Sequence, residues 1–266
     1  MLGRIAVVSD VHGNTTAFEA VLADIEARGI SRIVNLGDVV GKGPRGSAAV
    51  ALARERCEVT VRGNWDTFVA RHETPLWPAA QWTHDELSAD DRAWLLALPN
   101  SHDLVVGGQH VRFFHASHLG EFHRVSHRHT MEDFRAMFTN TDFTGDGPSP
   151  TVVGYGDLHG TYLEVDLGLT LFNAGSVGNP LDAPGAPYVV LEGELEGELD
   201  GDTSGDGDSV DTPASTAGVS ITFVRVAYDV EAEIAVAREL GMPDLDAYAL
   251  ELREQVYRGS TFAPPS

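Results

Sequence analysis

The sequence predicts an α/β fold built on a parallel sheet, and three observations predict it. Strand-length apolar runs alternate with helix-length amphipathic stretches in the first part of the chain. That β-α-β-α-β order pairs strands in parallel and covers the sheet with helices. Each of the first three apolar runs is followed by a short loop carrying Asp, Asn or His: Ser9-Asp10-Val11-His12-Gly13-Asn14, Leu36-Gly37-Asp38 and Arg62-Gly63-Asn64-Trp65-Asp66. Open α/β sheets place their ligands at that carboxyl edge. At 266 residues and 42% hydrophobic, the chain can bury a sizeable core and is read as one domain spanning 1–266.

The elements follow in order. Residues 4–8 read as a buried strand. Asn14 caps a helix whose apolar positions Phe18, Val21, Leu22 and Ile25 share one face, with Gly29 as its stop. Residues 33–36 form the second strand. Pro44 starts the next helix, with 48–52 in its body, and 58–61 is the third strand. A helical insert occupies 66–100. In it, Thr83 with Glu86 fits a capping box that opens the segment ending at 94–98. Residues 103–106 and 110–114 make a hairpin turning at Gly107-Gly108. A short helix lies near 131–138 within an irregular stretch. Strands resume at 151–155, 162–165 and 169–172, and 188–191 and 219–226 flank an acidic segment.

That segment, 192–218, has nine acids and no base between 192 and 211. With almost no large apolar residue it reads as a disordered loop inserted in a hairpin. Two amphipathic helices over 229–258 are expected to pack on the domain. The net charge of -22 argues against stable nucleic-acid binding and against an anionic membrane surface. No signal peptide and no bilayer-length apolar run is evident. Cys57 is the single cysteine, so no internal disulfide can form, and a reducing, cytoplasmic home fits. Its plain reading is a small core residue.

Aspartate, histidine and asparagine supply hard oxygen and borderline nitrogen ligands. Without thiolate among them they suit Mn, Fe or Zn rather than copper(I) or an iron–sulfur cluster. Later strands deliver more of the same: His115 after 111–114, Gly156-Asp157-Leu158-His159-Gly160 after 151–155, and residues 173–180 after 169–172.

Taken in order, these motifs are an Asp-x-His, a Gly-Asp-x-x-Gly-x-Gly-Pro, a Gly-Asn-x-Asp, a lone His, a Gly-x-x-His and an Asn-x-Gly-Ser-Val-Gly. The chain thereby resembles the calcineurin-like metallophosphoesterase superfamily, nearest its small bacterial and archaeal phosphodiesterase-like branch. The resemblance covers roughly 4–191 and the strand near 219–229. It implies a four-layer sandwich of two mixed β-sheets flanked by helices. It implies two divalent metal ions, with Asp10, His12 and His159 on the first, Asp38 bridging, and Asn64 and His115 on the second. Asp157 stands where the family has the first histidine of Gly-His-x-His and would be the remaining ligand of the second metal, with a shorter reach and an added negative charge. Trp65 replaces a histidine that some branches use as leaving-group acid, so Asp66 has no imidazole to orient and would instead brace its loop.

The implied activity is hydrolysis of a phosphate ester by a metal-activated hydroxide, a phosphodiesterase ahead of a monoesterase. The substrate would be a phosphorylated small molecule or nucleotide. Asp38, Asn64 and Asp66 are the candidate catalytic residues, and Lys42, Arg45, His118 and Asn179 the candidate substrate contacts. Protein phosphatase and dinucleoside-polyphosphate hydrolase are alternatives, both disfavoured by Trp65. A non-catalytic interaction module on the same fold, as in a retromer subunit, is the reading from another class. The oligomeric state is not readable from the residues.

Overall fold

The computed structural model describes residues 2–73, 76–195 and 218–257. β1 (Leu2–Val8), β2 (Arg32–Asn35) and β3 (Val59–Thr60) run parallel, joined by α1 (Thr15–Ala27) and α2 (Gly46–Arg56). β9 (Ala186–Glu194) pairs antiparallel with the free edge of β1, and β10 (Ser220–Val226) with β9. The first sheet is thus ordered β10-β9-β1-β2-β3. The second, β4-β5-β6-β8-β7, comprises β4 (Ser101–Val106), β5 (Gln109–Phe114), β6 (Val152–Tyr155), β7 (Thr161–Asp166) and β8 (Leu169–Ala174). Its three inner strands are parallel and its two edge strands antiparallel. Both sheets are mixed, and helices flank them, as the resemblance implies.

The pleat explains the layers. Successive side chains of a strand point to opposite faces. Ile5 and Val7 of β1 enter the apolar layer between the sheets, with Val34, Phe113, Phe172 and Val189. Ala6 and Val8 face the other way, onto Phe18, Leu22 and Val50 of the covering helices. Burying one such Val, Ile or Phe stabilises by about 1.5–3 kcal/mol. The outer face of the second sheet is covered by α6 (Met131–Ala136), where Phe134 and Met137 meet Phe114, Val153 and Leu171. α7 (Val230–Glu239) and α8 (Leu245–Glu254) share a smaller cluster around Ile234, Tyr248 and Leu252, with Trp82 against it.

Local chemistry sets most boundaries where expected. Asn14 Oδ1 accepts the amide of Ala17 at 3.0 Å and caps α1. Gly107 and Gly108 both have positive φ, as a two-residue hairpin turn needs. The expected capping box at Thr83 is wrong. Thr83 lies inside α4 (Pro78–Glu86) and its hydroxyl donates back to the Ala79 carbonyl. The working cap is Ser88 with Asp91, which opens α5 (Ala89–Ala97). α2 begins two residues after Pro44. The insert holds α3 (Asn64–Arg71), α4 and α5. β9 runs on to Glu194, three residues into the segment expected to be loop, because Glu192 to Glu194 still pair with β1. Residues 196–217 of that segment lie outside the described residues. Among the described residues, no helix is long and apolar enough to cross a membrane.

Candidate metal centre

The carboxyl ends of β1, β2, β3, β5, β6 and β8 meet at one edge of the sandwich, and their loops are stitched together through backbone. The amides of Asp10 and His12 donate to the carbonyls of Gly37 and Asp38, both at 2.9 Å, which extends the β1–β2 ladder beyond the strands. On the other side the amides of Val177 and Gly178 donate to Ser9 and Asp10. A side chain on Gly178 would run into the Val11 carbonyl, and one on Gly63 into Asp38, so both sites require glycine. Asp10, His12, Asp38, Lys42, Asp157 and His159 all adopt left-handed backbone, with φ between 50 and 66°. Such conformations cluster at functional sites, held by their surroundings.

Three imidazoles are aimed in the same manner. Nδ1 of His12, His115 and His159 donates to the carbonyls of Val40 (3.1 Å), Leu36 (2.8 Å) and Asn179 (2.7 Å). That fixes the tautomer and leaves each Nε2 as a lone-pair donor, the arrangement in which metal-ligating histidines are held. The Nε2 atoms then converge on two carboxylates. His12 and His159 lie 3.6 and 3.4 Å from Asp10 Oδ1, and His115 lies 3.4 Å from Asp38 Oδ2. Asp10 Oδ1 and His115 Nε2 are buried and have no hydrogen-bond partner. Buried polar atoms are rarely left so. Two overlapping groups, Asp10-His12-His159 and Asp10-Asp38-His115, each bring donor atoms within 4.8 Å of one another. These residues fit a divalent cation.

Burial drives the pKa of His12 down to about 3 and that of His159 well below the ordinary value, so both rings are neutral donors. Burial also opposes charge on His115, but Asp38 with Asp10 and Asp157 more than offsets it and raises its pKa.

Asp157 does not join these groups, and Asn64 is bonded to it. Asn64 Nδ2 donates to Asp157 Oδ1 at 2.8 Å. Arg124 takes the rest of that carboxylate, with Nε 2.6 Å from Oδ2 and Nη2 2.8 Å from Oδ1. Asp66 accepts from the amides of Gly63, Asp38, Val39 and Val40 at 2.9–3.3 Å and is fully buried. It ties the β3 loop to the β2 loop. Burial and then Asp38 push its pKa up to about 7.

Of the candidate substrate contacts, Lys42 lines the cavity of about 250 Å³ above the donors, together with Trp65, Arg124 and Tyr257. Its Nζ donates to Asn179 Oδ1 at 3.2 Å. Asn179 is buried and bonds Lys42 through its side chain and His159 through its carbonyl. Arg45 is turned away, bonded to Thr16 and to the buried Glu233 of α7. His118 is buried beside Thr141 and does not line the cavity. The sequence reading missed Arg124 as the partner of Asp157. It also missed Tyr257, and Glu251, which accepts from Asn179 Nδ2 at 3.3 Å. An acid interrupting the apolar face of α8 was the signal for Glu251. Trp65 stands edge-on to His12, 5.9 Å between ring centroids, and packs against Phe68 and Trp77. Trp77 stacks on Phe68, 5.2 Å between ring centroids, and is half exposed on its other side.

The family model of the calcineurin-like phosphoesterase superfamily domain matches residues 4–195. The chain belongs to the calcineurin-like phosphoesterase superfamily. Members of this superfamily use divalent metals, in keeping with the donor set. The crystal structure of a metallophosphoesterase from Sphaerobacter thermophilus superposes with a TM-score of 0.68 at 26% identity, over 96% of this chain and 99% of that one. The hypothetical protein PH1004 from Pyrococcus horikoshii OT3 shares the fold, with a TM-score of 0.71 at 15% identity over 96% and 99% of the two chains. The uncharacterized protein MJ0912 of Methanocaldococcus jannaschii is 36% identical over 119 residues, 42% of this chain and 49% of that protein. The match thus spans about half the length of that relative. The helices α7 and α8 lie beyond the residues matched by the calcineurin-like phosphoesterase model.

Proposed function

We propose that the protein is a divalent-metal-dependent phosphoesterase, acting on phosphodiesters ahead of monoesters. One observation carries the reading: tautomer-fixed imidazoles converge with Asp10 and Asp38, and among their atoms the buried Asp10 Oδ1 and His115 Nε2 lack a hydrogen-bond partner. Asp10, His12, Asp38, His115 and His159 would hold the metal, and their oxygen and nitrogen donors suit Mn, Fe or Zn. The metal would polarise the phosphoryl group and activate a water.

The chain's own residues do the remainder. Lys42 and Arg124, both lining the cavity, place positive charge where a phosphoryl group gathers negative charge. Trp65 and Tyr257 wall the same cavity and restrict water. They also offer aromatic faces to a planar leaving group, in keeping with a nucleotide or other small phosphorylated substrate. His159 is the only imidazole lining the cavity among the described residues, and it belongs to the donor set. Without an imidazole to protonate the leaving group, good leaving groups are favoured, since general-acid help contributes roughly 10²–10⁴-fold. We place the protein in the cytoplasm, on its single cysteine.

The test is turnover of bis-p-nitrophenyl phosphate against p-nitrophenyl phosphate with Mn²⁺, Fe²⁺ and Zn²⁺. The expected result is faster diester hydrolysis that Asp38→Asn abolishes. No turnover of either ester with any of the metals would sink the enzyme reading. It would leave an interaction module, which the engaged Asp157 and the tryptophan at position 65 favour.

A further inference from the structure

We propose that Arg124 takes the place of a second metal ion, so that the centre holds one divalent ion and one guanidinium. The proposal rests on the metal-site reading above.

The donor geometry is lopsided. Asp10, His12, Asp38, His115 and His159 form the two overlapping groups, and Asp157 enters neither. Its carboxylate is already engaged: Oδ2 accepts from Arg124 Nε, and Oδ1 accepts from both Arg124 Nη2 and Asn64 Nδ2. The two residues that would complete a second site are therefore bonded to each other and to a cation. A two-pronged guanidinium–carboxylate contact of this kind is short, charge-assisted and directional.

Charge points the same way. An aspartate at position 157 adds a negative charge that a neutral imidazole there would not. Arg124 adds one positive charge and restores the sum. A second dication bound to the same carboxylate would sit beside a like charge in a region where screening is weak.

The pair is also built asymmetrically. The Asp157 side chain is 3% exposed and that of Arg124 60%. The carboxylate is sunk in the floor of the cavity, and the guanidinium lies at its open side, among the cavity's lining residues. A planar, permanently charged group with N–H donors in a fork suits the oxygens of a phosphoryl group. Arg124 thus supplies charge on the side of the substrate that the second ion would have served, and the count of two ions falls to one.

The experiment is a metal count on the full chain. Wild type and Arg124→Met are reconstituted with Mn²⁺, stripped of loose metal by gel filtration, and measured by elemental analysis and electron paramagnetic resonance. Wild type is expected to hold about one Mn per chain with the spectrum of an isolated ion. Arg124→Met is expected to rise towards about two, with exchange-coupled spectra, because Asp157 and Asn64 are released. About two ions in wild type would overturn the proposal and leave the metal reading intact. An unchanged count in the variant would also overturn it, since Arg124 would not be what excludes the ion. No retained metal in either protein would overturn both readings. Should Arg124→Met fail to fold, the wild-type count and spectrum decide alone.

Discussion

His12 and His159 point their Nε2 atoms at one another across 3.0 Å. Each ring has already given its Nδ1 proton to a backbone carbonyl, so two lone pairs face each other. A cation between them turns repulsion into attraction. Metal binding should therefore stabilise the fold. Divalent metal at about a hundred times its dissociation constant adds about 2.7 kcal/mol. Chelation should lower the thermal midpoint and Mn²⁺ should restore it. In His159→Ala the response to metal should shrink or vanish. A wild-type midpoint indifferent to chelator and metal would refute this.

Asp66 should behave as a brace. Its carboxylate collects four backbone amides across two loops. Asp66→Ala leaves them buried without a partner, at about 1–3 kcal/mol for each unsatisfied group that water cannot reach. We expect a total loss of about 3 kcal/mol or more by chemical denaturation. A variant as stable as wild type but slow with poor leaving groups would instead mark Asp66 as a proton-delivering residue.

Asp182 sets an acid limit on stability. Oδ2 accepts from the amide and hydroxyl of Thr161 and from Arg225, and Oδ1 accepts from the Ala183 amide. Burial opposes its charge, but these donors hold its pKa below the ordinary 3.8. A depressed carboxylate pKa contributes stability above the unfolded value, lost as pH falls through the folded one. Asp182→Asn should cost up to about 1 kcal/mol at neutral pH, since the residue is exposed and water screens its charge. The gap to wild type should close as pH drops below 3.8. A gap independent of pH would contradict the assignment.

Arg45 and Glu233 couple α2 to α7. Glu233 is fully buried, bonded to Arg45, Thr16 and Tyr248. Removing one partner of a buried pair costs about 3–5 kcal/mol, whereas replacing both by apolar side chains is often neutral. Arg45→Met alone should be strongly destabilising, and Arg45→Met with Glu233→Leu should recover most of the loss. A double variant no more stable than the single one would mean that the ion pair itself is required.

The strand-end ligands were legible because each follows a short apolar run and sits beside glycine. Sequence order alone therefore put Asp10, Asp38, His115 and His159 at one edge. The buried strand β1 and the turn at Gly107-Gly108 were legible from equally local signals. Partnerships between distant loops were not. Nothing near Arg124 announces Asp157, since the stretch around it has no periodicity and its bond spans 33 residues. Arg45 looked like a phosphate contact because its buried partner Glu233 is 188 residues away. The misplaced helix start arose because Thr83-x-x-Glu86 and Ser88-x-x-Asp91 carry the same signature. Glu86 is drawn off by the Ser47 amide, which leaves Ser88 to cap.

The left-handed backbone at Asp10, His12, Asp38, Asp157 and His159 also acts on descent. Apart from glycine, the residues that tolerate this conformation best are asparagine, aspartate and histidine. Those same three side chains bind divalent cations. The loop path, held by backbone hydrogen bonds between neighbouring loops, therefore restricts which replacements a ligand position can sample. Position 157 can pass between histidine and aspartate without moving the chain, so its donor chemistry can drift while its coordinates stay fixed. A β-branched residue there would strain the backbone before it altered the chemistry. The scaffold thus channels mutation at this edge into changes of charge and ligand number, and away from changes of shape.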